Sequence, residues 1–229
     1  MYYDLYRKAE SSGNSSKNYS RDDPMIRKKI VFYGDSNTWG YDPRGFFGDR
    51  YPEEKIWTCM IARELDGDKP GAFEVVNQGM NGRQLPHGEY DYRHLEMIMK
   101  GLTENDLLVM MLGTNDIILT ARPDADHAIR RMEVFLSWFT GKLTEKPELL
   151  ILSSPYIDPE ETGDPVFELL SAETARMNEG FRTLCEQFGV RFADTAGWDI
   201  DFACDYIHFS EEGHQTFARQ LLSVLREVI

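Results

Sequence analysis

Short apolar runs alternate along the chain with longer segments that carry a single apolar stripe. Each run spans only a few residues and ends beside turn residues, which is typical of a buried β-strand. Five runs predict strands, at residues 30–33, 73–77, 107–112, 149–152 and, more weakly, 190–192.

Four of the intervening and following segments have apolar residues at helical spacing, so that one face of each helix would bury against the sheet. The four stripes are Trp57, Met60, Ile61 and Leu65; Ile129, Met132, Leu136 and Phe139; Met177, Phe181, Leu184 and Phe188; and Phe217, Leu221, Leu225 and Val228. Strands that alternate with helices are typical of parallel strands joined by right-handed crossovers. The predicted fold class is therefore α/β, a three-layer α/β/α sandwich with about five parallel strands.

The beginning of the chain does not follow this pattern. Residues 1–28 are polar, include a serine-rich stretch at 11–16 and have no apolar period. We interpret 1–28 as a polar N-terminal arm and 29–229 as one domain, which is long enough to bury a substantial core. The arm is either flexible or docks on another subunit through Tyr2, Tyr3 and Tyr6, so assembly into a homo-oligomer stays open.

Composition narrows the class of protein. The formal net charge of −14 argues against binding to nucleic acid and against docking on an anionic membrane through a basic patch. The apolar runs are too short for membrane insertion, and the first residues do not resemble a signal peptide. The three cysteines have no CxxC spacing and are expected to be reduced thiols. These features predict a cytoplasmic protein.

Polar motifs follow four of the predicted strands. They read Gly-Asp-Ser-Asn-Thr at 34–38, Asn-Gln-Gly-Met-Asn-Gly at 77–82, Gly-Thr-Asn-Asp at 113–116 and Asp-Tyr-Ile-His at 205–208. In an open parallel sheet, functional groups lie in loops at the carboxyl ends of the strands. We therefore expect all four motifs to converge at one edge of the sheet.

Taken together, the four motifs resemble the blocks of the SGNH (GDSL-type) hydrolases, and they occur in that family's order. The resemblance extends from about residue 30 to the C-terminal helix, and the string at 34–40 is similar to the arylesterase and acyltransferase branch. It implies the flavodoxin-like SGNH hydrolase fold and a serine esterase that acts on a small-molecule ester. It also implies that neither a metal nor an organic cofactor takes part.

The same residues have a chemical interpretation. Ser36 is a weak nucleophile until a base accepts its proton, and His208 suits that role because imidazole titrates near neutral pH. Asp205, three residues earlier, could orient the ring of His208. The resemblance further implies an oxyanion hole formed by the backbone N–H of Ser36, the backbone N–H of Gly82 and the side-chain amide of Asn115.

Other residues are candidates for shaping the substrate pocket. Trp39 and Tyr156 lie on long loops after strands, and Trp198 precedes the Asp–His motif, so each is predicted to form part of a wall. Arg83 either steers a polar substrate or pairs with a neighbouring carboxylate. The loop after the nucleophile also holds aromatic residues that either line the site or pack beneath the loop, namely Tyr41, Phe46, Phe47 and Tyr51.

Three residues near the motifs are predicted to be structural. Asp35 and Asp116 flank the reactive residues and are expected to bond loop amides rather than to act as acids. His214 lies in the first turns of the last helix, after Ser210 as its N-cap, and a structural role is expected there as well.

The predicted function is hydrolysis of small acyl esters, with transfer to an alcohol as an extension if the aromatic walls keep water scarce. Alternatives are a carbohydrate O-acetyl esterase and a catalytically silent ligand-binding module. An ordinary α/β-hydrolase would need Gly-x-Ser-x-Gly, whereas Thr38 stands two residues after Ser36. A nucleotide-binding flavodoxin-like domain lacks support, because neither GxGxxG nor a P-loop follows the first strand.

Overall fold

The computed structural model describes residues 27–45, 49–143, 145–156 and 163–229. Five parallel strands form the main sheet in the order β4-β1-β5-β6-β7, and β2 pairs with β3 in a small antiparallel ribbon. The strands are β1 (Lys28–Gly34), β2 (Tyr41–Asp42), β3 (Asp49–Arg50), β4 (Phe73–Gly79), β5 (Leu107–Met111), β6 (Glu148–Leu152) and β7 (Arg191–Ala193). The predicted α/β class and the five parallel strands are confirmed. The predicted arm up to residue 26 and the aromatic residues Phe46 and Phe47 lie outside the described residues.

All four predicted helices are present. The helices are α1 (Ser36–Trp39), α2 (Trp57–Asp68), α3 (Glu89–Met99), α4 (Thr114–Ile118), α5 (Ala125–Lys142), α6 (Pro165–Phe188) and α7 (Glu211–Val228), with a 3-10 turn at Glu53–Lys55. The sequence pattern missed α3 because only Leu95 and Met99 of that helix are buried and most of its other side chains are polar. Among the described helices, none is both long enough and apolar enough to cross a bilayer.

Alternate side chains of each strand enter different halves of the core, because the side chains of a strand point to opposite faces of the sheet. Val31 and Tyr33 pack with α3, α4, α5 and α6, whereas Ile30 and Phe32 pack with α2 and α7. Both faces of the sheet are therefore covered. Such burial explains why the strands read as continuous apolar runs rather than as an apolar–polar alternation.

Strand register brings three functional loops to the same level of the sheet. Gly34, the last residue of β1, pairs with Gly79 of β4 on one side and with Met111 of β5 on the other. A Cβ on Gly79 would lie 2.2 Å from the backbone nitrogen of Trp39, so only glycine lets α1 pack directly on β4. The loops after β1, β4 and β5 therefore begin side by side.

Helix α7 carries a buried histidine beneath the loop that precedes it. The His214 ring is fully buried and packs edge-on against Tyr51 and Phe209, with ring centroids 5.2 and 5.4 Å away. Within the described residues, neither ring nitrogen has a hydrogen-bond partner. Burial lowers the pKa of His214 to about 3, although the charges of Asp42 and Glu211 act in the opposite direction.

We expect the free energy of unfolding to fall less steeply with decreasing pH in His214→Gln than in the wild type. In the wild type, the unfolded chain takes up a proton near the ordinary pKa of 6.5 but the folded protein does so only near 3. The contribution of the neutral His214 to the free energy of unfolding is therefore fully present above pH 6.5 and is lost as the pH falls toward 3. Between pH 7 and pH 4 this loss amounts to about 3 kcal/mol of unfolding free energy.

Urea unfolding of the wild type and of His214→Gln at pH 7, 5.5 and 4 measures this difference. The two curves of unfolding free energy against pH should converge as the pH falls. Parallel curves would mean that His214 does not titrate differently in the folded and unfolded states.

Candidate active site

Three predicted side chains form one hydrogen-bonded chain at the carboxyl edge of the sheet. Ser36, the first residue of α1, is buried with 8% of its surface exposed. Its Oγ lies 2.9 Å from Nε2 of His208, and Nδ1 of His208 lies 2.6 Å from Oδ2 of Asp205. Because a carboxylate can only accept, Nδ1 carries the proton and Nε2 accepts from the serine hydroxyl. The structure thus brings together the three residues that the sequence singled out.

The loop that bears His208 closes on itself. Phe202 and Phe209 form an isolated antiparallel bridge, and the N–H of Ala203 donates to the His208 carbonyl at 2.7 Å. Tyr206 takes a left-handed conformation at φ 58°, and its N–H donates to the Ala203 carbonyl at 3.0 Å. Phe209 is fully buried in the core, so the loop is anchored directly beside the imidazole.

The Asp205 carboxylate also organises this loop. Its Oδ1 accepts the backbone N–H groups of Ile207 and His208 at 3.1 and 3.0 Å, while Oδ2 accepts the imidazole N–H. Burial by itself would raise the pKa of Asp205, but the hydrogen bonds from His208 and Ile207 outweigh it and hold the pKa below its usual value. The carboxylate is therefore ionised at neutral pH and can stabilise an imidazolium.

The other two aspartates of the motifs are structural, as predicted. Asp35 caps α1 through its Oδ1, which accepts the Asn37 N–H at 3.0 Å, and burial raises its pKa to about 6. Asp116 is fully buried; it accepts the Leu85 N–H at 2.9 Å and pairs with Arg131 at 2.6 Å. Both carboxyl groups thus hold loops in place.

The predicted oxyanion donors lie on the three loops that start side by side. Ser36 presents its backbone N–H in the first turn of α1, where helix N–H groups have no intrahelical acceptor. Gly82 has φ 72°, a conformation that favours glycine, and a Cβ there would meet no atom within 4 Å. Asn115 donates one amide N–H to the Arg83 carbonyl at 3.0 Å, and Gln84 Nε2 donates to the Asn115 carbonyl at 3.1 Å. The Gly82 loop and α4 are therefore tied together.

Arg83 does not have the environment expected of a residue that binds substrate. Its side chain is buried, with 6% of the residue exposed, and it donates to the backbone carbonyls of Gly34, at 2.9 Å, and Gln78. The guanidinium carbon lies 4.1 Å from the centroid of the Tyr33 ring, and burial lowers its pKa. Because main-chain carbonyls hold the guanidinium, the geometry favours a structural role over either predicted role.

The predicted wall residues have different surroundings. Trp39 is half-buried, and Arg50 lies over its ring at 5.5 Å while donating to its carbonyl at 2.7 Å. Trp198 is half-buried and packs on Phe217 of α7, with ring centroids 5.2 Å apart, against the core on that side. Tyr156 is 41% exposed beyond the end of β6. Contact of Trp39, Tyr156 and Trp198 with substrate stays a prediction.

Two residues touch the catalytic loop: Asn37, which the sequence did not single out, and Tyr41, which it named only among the aromatic residues that either line the site or pack beneath the loop. The Tyr41 ring lies 4.4 Å from the His208 ring, tilted by 44°. The Asn37 side chain bonds the backbone of Ile207 and Phe209. The available signals were the aromatic content of the loop after the nucleophile for Tyr41 and adjacency to Ser36 for Asn37.

Comparison with known proteins identifies a family that this chain matches. A family model described as the GDSL-like Lipase/Acylhydrolase family matches residues 32–216, which is most of the chain. No protein of curated function matches the sequence significantly.

Solved structures share the fold. The native aryl esterase of M. smegmatis is 24% identical, with a TM-score of 0.72 over 88% of this chain and 100% of that chain. A protein of Agrobacterium tumefaciens C58 described as an arylesterase is 25% identical, with a TM-score of 0.72 over 88% and 100%. Est24, a carbohydrate acetylesterase from Sinorhizobium meliloti, is 21% identical, with a TM-score of 0.70 over 89% and 100%. On the family match and this shared architecture, the chain belongs to the GDSL-like lipase/acylhydrolase family, the SGNH hydrolases, and is a carboxylic ester hydrolase.

Proposed function

We propose that the protein is a serine esterase that hydrolyses small acyl esters through an acyl-enzyme formed on Ser36. The observation that carries the proposal is the continuous hydrogen-bonded chain from the Ser36 hydroxyl through His208 to Asp205, with distances of 2.9 and 2.6 Å. A serine hydroxyl directed at a ring nitrogen that can accept its proton is the arrangement that nucleophilic catalysis requires. The oriented, ionised Asp205 makes formation of the imidazolium less costly.

In the first half of the reaction, Ser36 Oγ attacks the ester carbonyl carbon while its proton moves to Nε2 of His208. The carbonyl oxygen becomes an oxyanion. The tetrahedral intermediate then collapses, the bond from carbon to the alcohol oxygen breaks, and the departing alkoxide takes the proton from His208. The product is the free alcohol, and the acyl group is left on Ser36 Oγ.

In the second half, water replaces the alcohol. His208 accepts a proton from the water as its oxygen attacks the acyl carbon, and the resulting intermediate expels Ser36 Oγ, which takes the proton back. The carboxylic acid leaves and the enzyme returns to its starting state. Asp205 stays ionised throughout.

An active-site label tests the proposal. A fluorophosphonate phosphonylates an activated serine and releases fluoride, so intact-mass analysis should find one adduct per chain in the wild type. Peptide mapping should place that adduct on Ser36, and Ser36→Ala should stay unlabelled. A wild type that neither reacts with the label nor hydrolyses any ester of a broad panel would favour the silent ligand-binding module.

Asn115→Ala is expected to lower kcat by about 100- to 1,000-fold with little change in KM, because the proposed donor acts on charge that exists only in the transition state. One N–H of the Asn115 amide is held by the Arg83 carbonyl, which leaves the second for the oxyanion. Steady-state hydrolysis of p-nitrophenyl acetate measures both constants.

Gln84→Ala is the matched control for Asn115→Ala. This substitution removes the 3.1 Å hydrogen bond from Gln84 Nε2 to the Asn115 carbonyl, which also joins the Gly82 loop to α4, but it keeps the Asn115 amide. Its kcat should stay within a few-fold of the wild type. Equal losses in both variants would mean that loop tethering, and not the amide donor, is what Asn115 provides.

The substrate class follows less directly from the residues. Aryl esterases and a carbohydrate acetylesterase both share the fold, so aryl acetates are the first proposal and O-acetylated sugars the second. Comparing kcat/KM for phenyl acetate with that for acetylated monosaccharides decides between them. Adding a low concentration of alcohol to the same assay tests acyl transfer, and pure hydrolysis would contradict it.

A further inference from the structure

Asn37, the residue after the nucleophile, has every polar group engaged. Its N–H donates to Asp35 Oδ1 at 3.0 Å, and its carbonyl accepts from Trp57 Nε1 at 2.9 Å. Its side-chain Nδ2 donates to the Ile207 carbonyl at 3.1 Å, and its Oδ1 accepts the Phe209 N–H at 2.9 Å. The residue is only 3% exposed. A buried amide that is bonded on both sides has one orientation and resists displacement.

The side chain of Asn37 bonds the chain immediately before and immediately after His208. Across the part of the chain that the structure describes, three hydrogen bonds join α1 to residues 205–209. One is the contact between Ser36 and His208 itself, and Asn37 makes the other two. Apart from the contact between the reacting pair, the hydrogen bonds that tie the backbone around His208 to α1 therefore come from a single amide.

The reacting pair depends on such a link because its two members come from distant parts of the chain. Asp205 and His208 share one short loop, so their bond forms locally, whereas Ser36 and His208 are 172 residues apart in sequence. A displacement of about 1 Å between reacting groups costs about 100-fold in rate. Whatever sets the spacing between α1 and the loop therefore sets the rate of proton transfer.

We propose that Asn37 is a positioning residue that sets the distance between Ser36 Oγ and His208 Nε2, an inference that rests on the proposed function. The amide acts through the backbone of Ile207 and Phe209 and does not touch the reacting atoms. Its effect is therefore on alignment of the serine with its base. Substrate binding and the pairing of His208 with Asp205 do not depend on it.

Asn37→Leu removes both side-chain bonds at similar volume, and Asn178→Leu is its matched control. Asn178 is also buried, and its amide makes the same two bonds, to the N–H and carbonyl of Ser154 at 2.9 and 2.8 Å. We expect Asn37→Leu to lower kcat for p-nitrophenyl acetate by about 10- to 100-fold with KM within about two-fold of the wild type. Asn178→Leu should lower the thermal midpoint to a similar degree but leave kcat within a few-fold.

Two further readouts separate alignment from general loosening. Labelling of Ser36 by a fluorophosphonate should slow in Asn37→Leu as kcat does, since it needs the same proton transfer. The downfield NMR signal of the His208 Nδ1 proton should persist, because its bond to Asp205 lies within one loop. If Asn37→Leu does not fold, Asn37→Asp keeps the acceptor for Phe209 but sets a carboxylate oxygen against the Ile207 carbonyl in place of the donor, which pushes the loop from α1, and its kcat should fall as well.

A kcat for Asn37→Leu no lower than that of Asn178→Leu would overturn the proposal, as would a loss that appears in KM alone. Either result leaves the proposed function intact provided that Ser36→Ala is inactive. Equal activity of Ser36→Ala and the wild type would instead remove the proposed function, and the positioning role with it.

Discussion

Ser36→Ala is expected to lower kcat for p-nitrophenyl acetate by about a million-fold, the largest loss of any single substitution in this protein. The alanine variant is expected to keep the fold, because within the described residues the Ser36 hydroxyl hydrogen-bonds only His208, while the Asp35 cap and the Asn37 side chain that hold α1 are unchanged. Without the hydroxyl, no acyl-enzyme forms. The residual rate then comes only from the donors of the proposed oxyanion hole, which are unchanged, and from the binding of substrate.

A double variant makes the first prediction sharper. Residues that act as a unit are not additive, so Ser36→Ala combined with His208→Ala should be no slower than Ser36→Ala alone. Ser154→Ala is the control, because Ser154 is a buried serine at the end of β6 that donates to the Leu112 carbonyl at 3.3 Å and should retain activity. A double variant that is much slower than Ser36→Ala would show that His208 acts without the serine.

Asp205→Asn is expected to lower kcat by about 10,000-fold, the second large effect. The asparagine oxygen can still accept the N–H groups of Ile207 and His208, so the loop keeps its shape. Its amide nitrogen then donates toward Nδ1 of His208, which forces the imidazole proton onto Nε2. In that tautomer Nε2 donates toward Ser36 and cannot accept the serine proton.

Asp201→Asn provides the comparison for Asp205→Asn. Asp201 is exposed and bonds the Ser210 hydroxyl, outside the hydrogen-bonded chain of the site, so its variant should keep kcat within a few-fold. Both variants should melt within a few degrees of the wild type. Retention of a tenth or more of the activity by Asp205→Asn would show that another carboxyl orients His208, and Asp35 would be the first to test.

The local pattern of apolar and polar residues was sufficient to predict the five strands of the main sheet, four of the helices and the order of the motifs. The runs that became β1, β5 and β6 are short and apolar because both faces of the sheet are covered, so that nearly every residue of each run is buried. Helix α3 escaped prediction for the opposite reason. Only Leu95 and Met99 of this helix are buried, and Tyr92 and Ile98 are partly buried against the core, so its apolar stripe is weak.

The sequence did not predict the surroundings of individual side chains. Arg83 follows Gly82 in sequence and was expected near substrate or a carboxylate, yet it turns inward to backbone carbonyls. Trp198 was expected on a wall of the site, and the structure shows that it also packs on Phe217. Neither outcome can be read from neighbours in sequence, because the partners lie on other elements of the fold.

The sequence by itself determined the fold class, the carboxyl edge that bears the motifs, and the candidate residues Ser36, Asp205 and His208. The fold class and the edge follow from hydrophobic periodicity and from the rule that parallel strands present their loops together, whereas the three residues follow from the resemblance of the four motifs to the SGNH hydrolases. Only the tertiary structure decided which neighbours hold those residues in place, as Asn37 and Tyr41 do around His208. The physical reason is that hydrogen-bond distances between segments 172 residues apart depend on how α1 and the loop before α7 pack on the sheet, which no local pattern encodes.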